Sequence, residues 1–172
     1  TSADVLRRYS QYNETGYSQF IKSDAARLGV SRALAPMDGK LLELRFNSGG
    51  ERDIALDFNG QVLFKPTEGG VAGTAVVRAV DGDIEVLGAG RSRTQDFSGI
   101  ALYADSLNRM NGGRLAIGAM PTVNYGSGGN IVTFADNISS NNIILREGAV
   151  LSAPEVVLRT RRPDGGITLE AG

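Results

Sequence analysis

Five carboxylates fall in the middle of the chain: Asp53, Asp57, Asp81, Asp83 and Glu85. Two acids at a suitable separation are what glycoside hydrolysis needs, one to protonate the leaving oxygen and one to activate water or attack the sugar. Their spacing argues for a plainer role. In Asp53-Ile-Ala-Leu-Asp57 and Asp83-Ile-Glu-Val86 the acids stand between apolar residues, and on a strand that alternation turns them to the face opposite the core. The acids read as outward-facing solubilising positions, and no residue is assigned a catalytic role. An enzyme acting on polysaccharide through these carboxylates stays as the alternative.

Other chemistries are narrower still. The chain has no Cys and no His, which removes thiol nucleophiles, Ser–His and Cys–His dyads, Cys/His zinc sites and His-ligated haem. Calcium-binding rolls need Gly-Gly-x-Gly-x-Asp repeats; Gly128-Gly129 has no acid before Asp136, and Gly69-Gly70 continues as Val-Ala-Gly-Thr. Phosphate cradling fails because Gly69-Gly-Val-Ala-Gly-Thr74 and Gly88-Ala-Gly90 lack the lysine and following helix of a P-loop. No metal and no cofactor is therefore expected. Tyr9, Tyr12, Tyr17, Phe20, Tyr103 and Tyr125 offer rings for stacking on sugars, although aromatics also fill space beneath loops, the preferred reading. Asn13-Glu-Thr15 and Asn137-Ile-Ser139 match the glycosylation triplet at a frequency near chance. Asn137, Asn141 and Asn142 fit better as amides bonding along a stack of strands.

The elements that must hold these residues announce themselves through glycine. A short phrase recurs, glycine followed by alternating apolar residues: Gly60-Gln-Val-Leu-Phe64, Gly82-Asp-Ile-Glu-Val86, Gly113-Arg-Leu-Ala-Ile117, Gly129-Asn-Ile-Val-Thr133, Gly148-Ala-Val-Leu151 and Gly166-Ile-Thr-Leu169. Its interval of roughly 16 to 31 residues lies within much of the range of solenoid repeats. Strands are predicted at Leu42–Phe46 and Ile54–Phe58, and at 62–65, 74–80, 83–87, 99–104, 114–118, 131–135, 142–146, 149–151, 155–160 and 167–170. The 23 glycines have no collagen period and serve the turns between them. Unequal loops favour a right-handed parallel β-helix over a β-sandwich. The expected class is all-β, with residues 39–172 forming the rungs.

Residues 1–38 form a separate N-terminal segment, with a short helix capped by Ser2 and ended at Asn13-Glu-Thr-Gly16. For the next stretch two readings stand: a first strand over Gly16–Ser23, slightly preferred, or a helix from Ser18 to Leu28 ended by Gly29. Pro36-Met-Asp-Gly39 is a turn. The formal net charge of −1 and scattered basic residues argue against a nucleic-acid partner, and Arg159-Thr-Arg161-Arg162 reads as a solvated turn. No apolar run reaches the ~20 residues that a membrane helix needs. The unfinished last phrase, Gly166-Ile-Thr-Leu-Glu-Ala-Gly172, predicts a fragment of a longer chain.

After Asp38 the chain resembles a passenger segment of the filamentous haemagglutinin family, large exoproteins exported by two-partner secretion. The resemblance lies in Asp53-Ile-Ala-Leu-Asp-Phe-Asn-Gly-Gln-Val-Leu-Phe64, Gly82-Asp-Ile-Glu-Val-Leu-Gly88, Arg114-Leu-Ala-Ile-Gly118 and Tyr125-Gly-Ser-Gly-Gly129. It is densest in Ile143-Ile-Leu-Arg-Glu-Gly-Ala-Val-Leu-Ser-Ala-Pro-Glu-Val-Val-Leu158 and Gly165-Gly-Ile-Thr-Leu-Glu170. The family's N-terminal secretion domain carries Asn-Pro-Asn motifs; no Asn-Pro pair occurs here, which places the segment in the interior or C-terminal part of a passenger. The resemblance implies a parallel β-helix, a secreted or cell-surface location and an adhesin-like structural role in virulence, with loops displayed for cell or host contact. It implies an outer-membrane transporter as partner of the full-length protein, an unidentified receptor or glycan on a host or neighbouring cell, and a monomeric segment.

Overall fold

The computed structural model describes residues 16–32, 34–47, 54–126, 129–134, 139–161 and 165–171. The chain divides into two compact units, Thr1–Met37 with Thr122–Thr133, and Asp38–Pro121 with Phe134–Gly172. Residues 122–133, placed with the rungs on sequence grounds, thus join the N-terminal unit. The Ser2-capped helix, Tyr9, Tyr12, Asp53, Asn137 and Arg162 lie outside the described residues.

In the first unit, helix α1 runs Tyr17–Leu28 and replaces the strand expected over Gly16–Ser23. Its end explains the outcome. Gly29 adopts a left-handed φ of 67°, its N–H reaches the Ala26 carbonyl at 3.3 Å, and the Val30 N–H reaches that of Ala25 at 3.0 Å. This pair of bonds is a Schellman closure, which glycine adopts without a Cβ penalty. Lys22, Ala25, Ala26 and Arg27 are good helix formers, so period-two alternation in four residues was outweighed. Strands β7 (Pro121–Gly126) and β8 (Gly129–Phe134) form a two-stranded sheet. Arg32 and Tyr125 make an antiparallel bridge with N···O distances of 2.6 and 2.8 Å, and the guanidinium lies 5.1 Å from the Tyr125 ring centre.

The second unit is built on two parallel sheets. One has the order β1 (Leu41–Asn47), β3 (Thr74–Val80), β6 (Arg114–Ile117), β10 (Glu155–Leu158). The other runs β11 (Ile167–Leu169), β9 (Ile143–Leu145), β4 (Ile84–Leu87), β5 (Ile100–Tyr103), β2 (Ile54–Leu56). Register in the second sheet aligns like residue types: Ile54, Ile100, Ile84, Ile143 and Ile167 occupy one row, and Leu56, Leu102, Val86, Leu145 and Leu169 the next. Two copies of the repeated phrase, Ile84-Glu-Val86 and Ile167-Thr-Leu169, lie in this ladder beside three further apolar-x-apolar segments at 54–56, 100–102 and 143–145. A one-residue slip would turn these rows away from the core, so the pattern strongly selects the register. Ile84, Val86, Ile100, Leu102 and Ile143 pack in one cluster with Ala75, Val77, Leu115 and Ile117 of the first sheet, joined by Phe64, Leu107 and Met110.

The all-β, right-handed parallel β-helix expected from the repeats is not what this chain forms. The described residues carry two helices, two parallel sheets and an antiparallel pair, a mixed α/β fold with no solenoid. The strand order states the departure most directly. β5 follows β4 in the chain but sits between β4 and β2 in the sheet, so the strands do not stack in chain order. Segment 88–99 makes the connection, long enough for the crossover that parallel neighbours require. Residues 62–65 and 149–151 form no strand, and helix α2 (Ala104–Arg109) follows β5 directly. Alternation selects which side chains face inward; it carries no information on which strands become neighbours.

Candidate functional site

The short helix α2 organises a cleft of the second unit. Ala104 and Leu107, three residues apart, bury against the core. Ser106 and Arg109, also three apart, then meet the segment after β2. The Phe58 N–H donates to Ser106 Oγ at 3.1 Å, and Ser106 Oγ donates to Asp57 Oδ1 at 2.9 Å. Arg109 closes the arrangement from the other side. Its Nη2 donates to the Phe58 carbonyl at 2.9 Å, to Ser106 Oγ at 3.0 Å and to Asp57 Oδ1 at 3.2 Å, while Nε reaches the same carbonyl at 3.2 Å. Asn59 Nδ2 donates to Asp57 Oδ2 at 3.1 Å. Hydrogen bonds from Ser106 and Asn59, then the charge of Arg109, hold the Asp57 carboxyl below its ordinary pKa. On the opposite side of α2, Asn108 bonds the Val150 carbonyl and the Ser152 N–H at 2.9 and 2.7 Å. Six helical residues thus tie together two distant stretches of chain, 57–59 and 150–152.

The cleft beside this network has a volume of about 450 Å³. Asp57, Asn59, Tyr103, Asp105, Ser106 and Arg109 contribute its polar wall, and Gly88-Ala89-Gly90 a strip of nearly bare backbone. Gly90 has φ 69° and open space where a Cβ would stand.

The remaining acids named from the sequence are dispersed among other partners. Asp81, in a left-handed turn conformation, pairs with Arg161. Asp83 accepts from Asn142 Nδ2 at 2.9 Å, and Asn142 Oδ1 accepts from the Gly166 N–H at 3.0 Å. Asn142 therefore bonds along the stack as its position predicts. Glu85 overturns its expected solvated placement: its side chain is 0% exposed. It receives Arg146 Nε at 2.9 Å and the Thr94 N–H at 3.2 Å. The cause is segment 88–99, which folds back over the outer face of β4. Phe97 stacks under both Arg93 and Arg146, at 5.7 and 5.5 Å from the ring centre, and Arg93 holds the Phe97 carbonyl at 2.6 Å. Glu170 completes the cluster, accepting Arg146 Nη1 at 2.7 Å. That bond, with a second from the Glu147 N–H, lowers the Glu170 pKa.

Among the aromatics, Tyr103 lines the cleft; Tyr17 and Phe20 are exposed on α1, and Tyr125 lies under Arg32. Of the basic run at 159–161, Arg159 stacks on Phe134 at 5.2 Å and Arg161 pairs with Asp81, so these side chains have partners the solvated-turn reading did not foresee. Sequence reasoning named Asp57 and Tyr103 and missed Asn59, Asp105, Ser106 and Arg109. Asn59-Gly60 read only as a turn, and Ala104–Arg109 is too short for helical periodicity to show. Among the described residues no group of three or more His, Cys, Asp or Glu side chains is placed to hold a metal ion, and no helix is long and apolar enough to cross a membrane. Comparison with known proteins finds no matching family model, no matching curated protein and no matching solved structure.

Proposed function

We propose that this chain is a contact module of a secreted, adhesin-like bacterial exoprotein of the filamentous haemagglutinin kind. It acts on the surface of a host or neighbouring cell, and an outer-membrane transporter delivers the full-length protein. The family resemblance in 143–158 and 165–170 supplies the setting. The observation that favours contact is the contrast between the acids: Asp81, Asp83 and Glu85 are each tied to an arginine or an amide within the fold. Polar groups with unused hydrogen-bonding capacity gather instead at one open cleft. A ready-made polar recess on a packed scaffold suits recognition, because its groups need little further ordering on binding.

The test is binding of the fluorescently labelled chain to cultured epithelial cells and to bacterial cells. Saturable binding displaced by unlabelled chain is the expected result. Binding that rises linearly with concentration on every cell type overturns the proposal.

A further inference from the structure

We infer that the cleft lined by Asp57, Asn59, Tyr103, Asp105 and Arg109 binds a neutral sugar ring. This deepens the contact reading and rests on it. The inference starts from which groups remain unused. Ser106 is saturated, donating to Asp57 and accepting from the Phe58 N–H and Arg109. Arg109 spends Nε and Nη2 on Phe58, Ser106, Asp57 and Asn59, which leaves the Nη1 donors unengaged among the described residues. The Asp105 carboxylate and the Tyr103 hydroxyl also have no hydrogen-bond partner among the described residues, and both line the cleft. Asn59 retains one amide hydrogen beyond the one given to Asp57.

Unengaged acceptors and donors side by side match a hydroxyl, which both donates and accepts. Vicinal hydroxyls on a ring can bridge a carboxylate and a guanidinium edge in the same way. The charge balance selects among polar ligands. Asp57 already neutralises Arg109, so Asp105 leaves the cleft one negative charge in excess, which disfavours an anionic ligand. A metal ion would lack ligands, since no suitable group of three occurs among the described residues. The Tyr103 ring supplies an apolar face of the kind on which sugar C–H groups stack. The bare strip Gly88-Ala89-Gly90 lets a ring approach the backbone closely. The volume of about 450 Å³ falls within the range of small-molecule sites.

The experiment titrates the chain by calorimetry with maltotriose, tri-N-acetylchitotriose and galactotriose, with trigalacturonate as the acidic counterpart. Tyr103→Phe and Asp105→Asn serve as variants because neither side chain bonds within the fold, and thermal unfolding checks that both remain folded. The expected result is binding of at least one neutral probe, weakened about five- to tenfold by each variant, and weaker binding of trigalacturonate. Trigalacturonate binding as tightly as the best neutral probe overturns the inference, as does neutral-probe binding unchanged in both variants. Absence of neutral-probe binding up to ~10 mM also overturns it. If saturable cell binding persists in that last case, the contact reading stands and only the sugar assignment falls.

Discussion

Replacing Arg146 by methionine tests how the outer face of β4 is held. The substitution keeps most of the apolar stem and deletes the guanidinium that Glu85 and Glu170 share. Glu85, fully enclosed, is then left with the Thr94 N–H as its hydrogen-bond donor. Breaking a buried pair by removing one partner costs about 3–5 kcal/mol, because the other charge stays desolvated. Glu85→Gln is the milder change. Gln removes the buried charge, can still accept from Thr94, and leaves Arg146 its bond to Glu170, so the expected cost is about 1–2 kcal/mol. The two substitutions together should cost less than Arg146→Met alone, since the uncompensated charge is gone. Urea unfolding of the four proteins measures this as a double-mutant cycle. In thermal unfolding, Arg146→Met should lower Tm by roughly 6–20 °C at about 2–4 °C per kcal/mol. Arg146→Met costing no more than Glu85→Gln would refute the reasoning, because it would mean that Glu85 is solvated rather than enclosed.

Position within the isoleucine row should matter more than residue type. Ile84, fully buried in the middle of the second sheet, should cost about 2–5 kcal/mol when replaced by Ala, whereas Ile167, 45% exposed on the edge strand, should cost under about 1 kcal/mol by chemical denaturation. Gly118→Ala should destabilise by more than about 1 kcal/mol, since Gly118 has φ 96° and a Cβ there would press on the Arg159 carbonyl; unchanged Tm would contradict this. The lowered pKa values of Asp57 and Glu170 give a direction for acid sensitivity. Each carboxylate titrates lower folded than unfolded, so its stabilisation is present above the ordinary carboxylate pKa and is lost as pH falls through the folded value. Stability should therefore decline below about pH 4, and Asp57→Asn with Glu170→Gln should flatten that decline in urea midpoints measured against pH.

Several features were legible in the residues alone. The inward set of each parallel strand follows from alternation, and the recurring apolar-x-apolar steps place like residues beside one another across β9, β4 and β5. Gly29 marks the end of α1, and Asn142 could be read as bonding along the stack. These are local signals: a side-chain period, a left-handed turn and a short amide, each decided within a few residues.

The neighbours were decided only by the tertiary structure. Glu85 reads as a solvated strand residue until segment 88–99 folds over it, and nothing in that segment's composition states where it lands. Asp57 and Arg109 are far apart in the chain, and they meet because α2 buries Ala104 and Leu107 and so turns Ser106 and Arg109 toward β2. The exchange of β4 and β5 in sheet order is of the same kind, since both carry the same inward pattern and either could occupy either place. Periodicity selects a face at each residue. Strand order, the cover over Glu85 and the cleft depend on long-range packing, in which many chain-distant contacts form together.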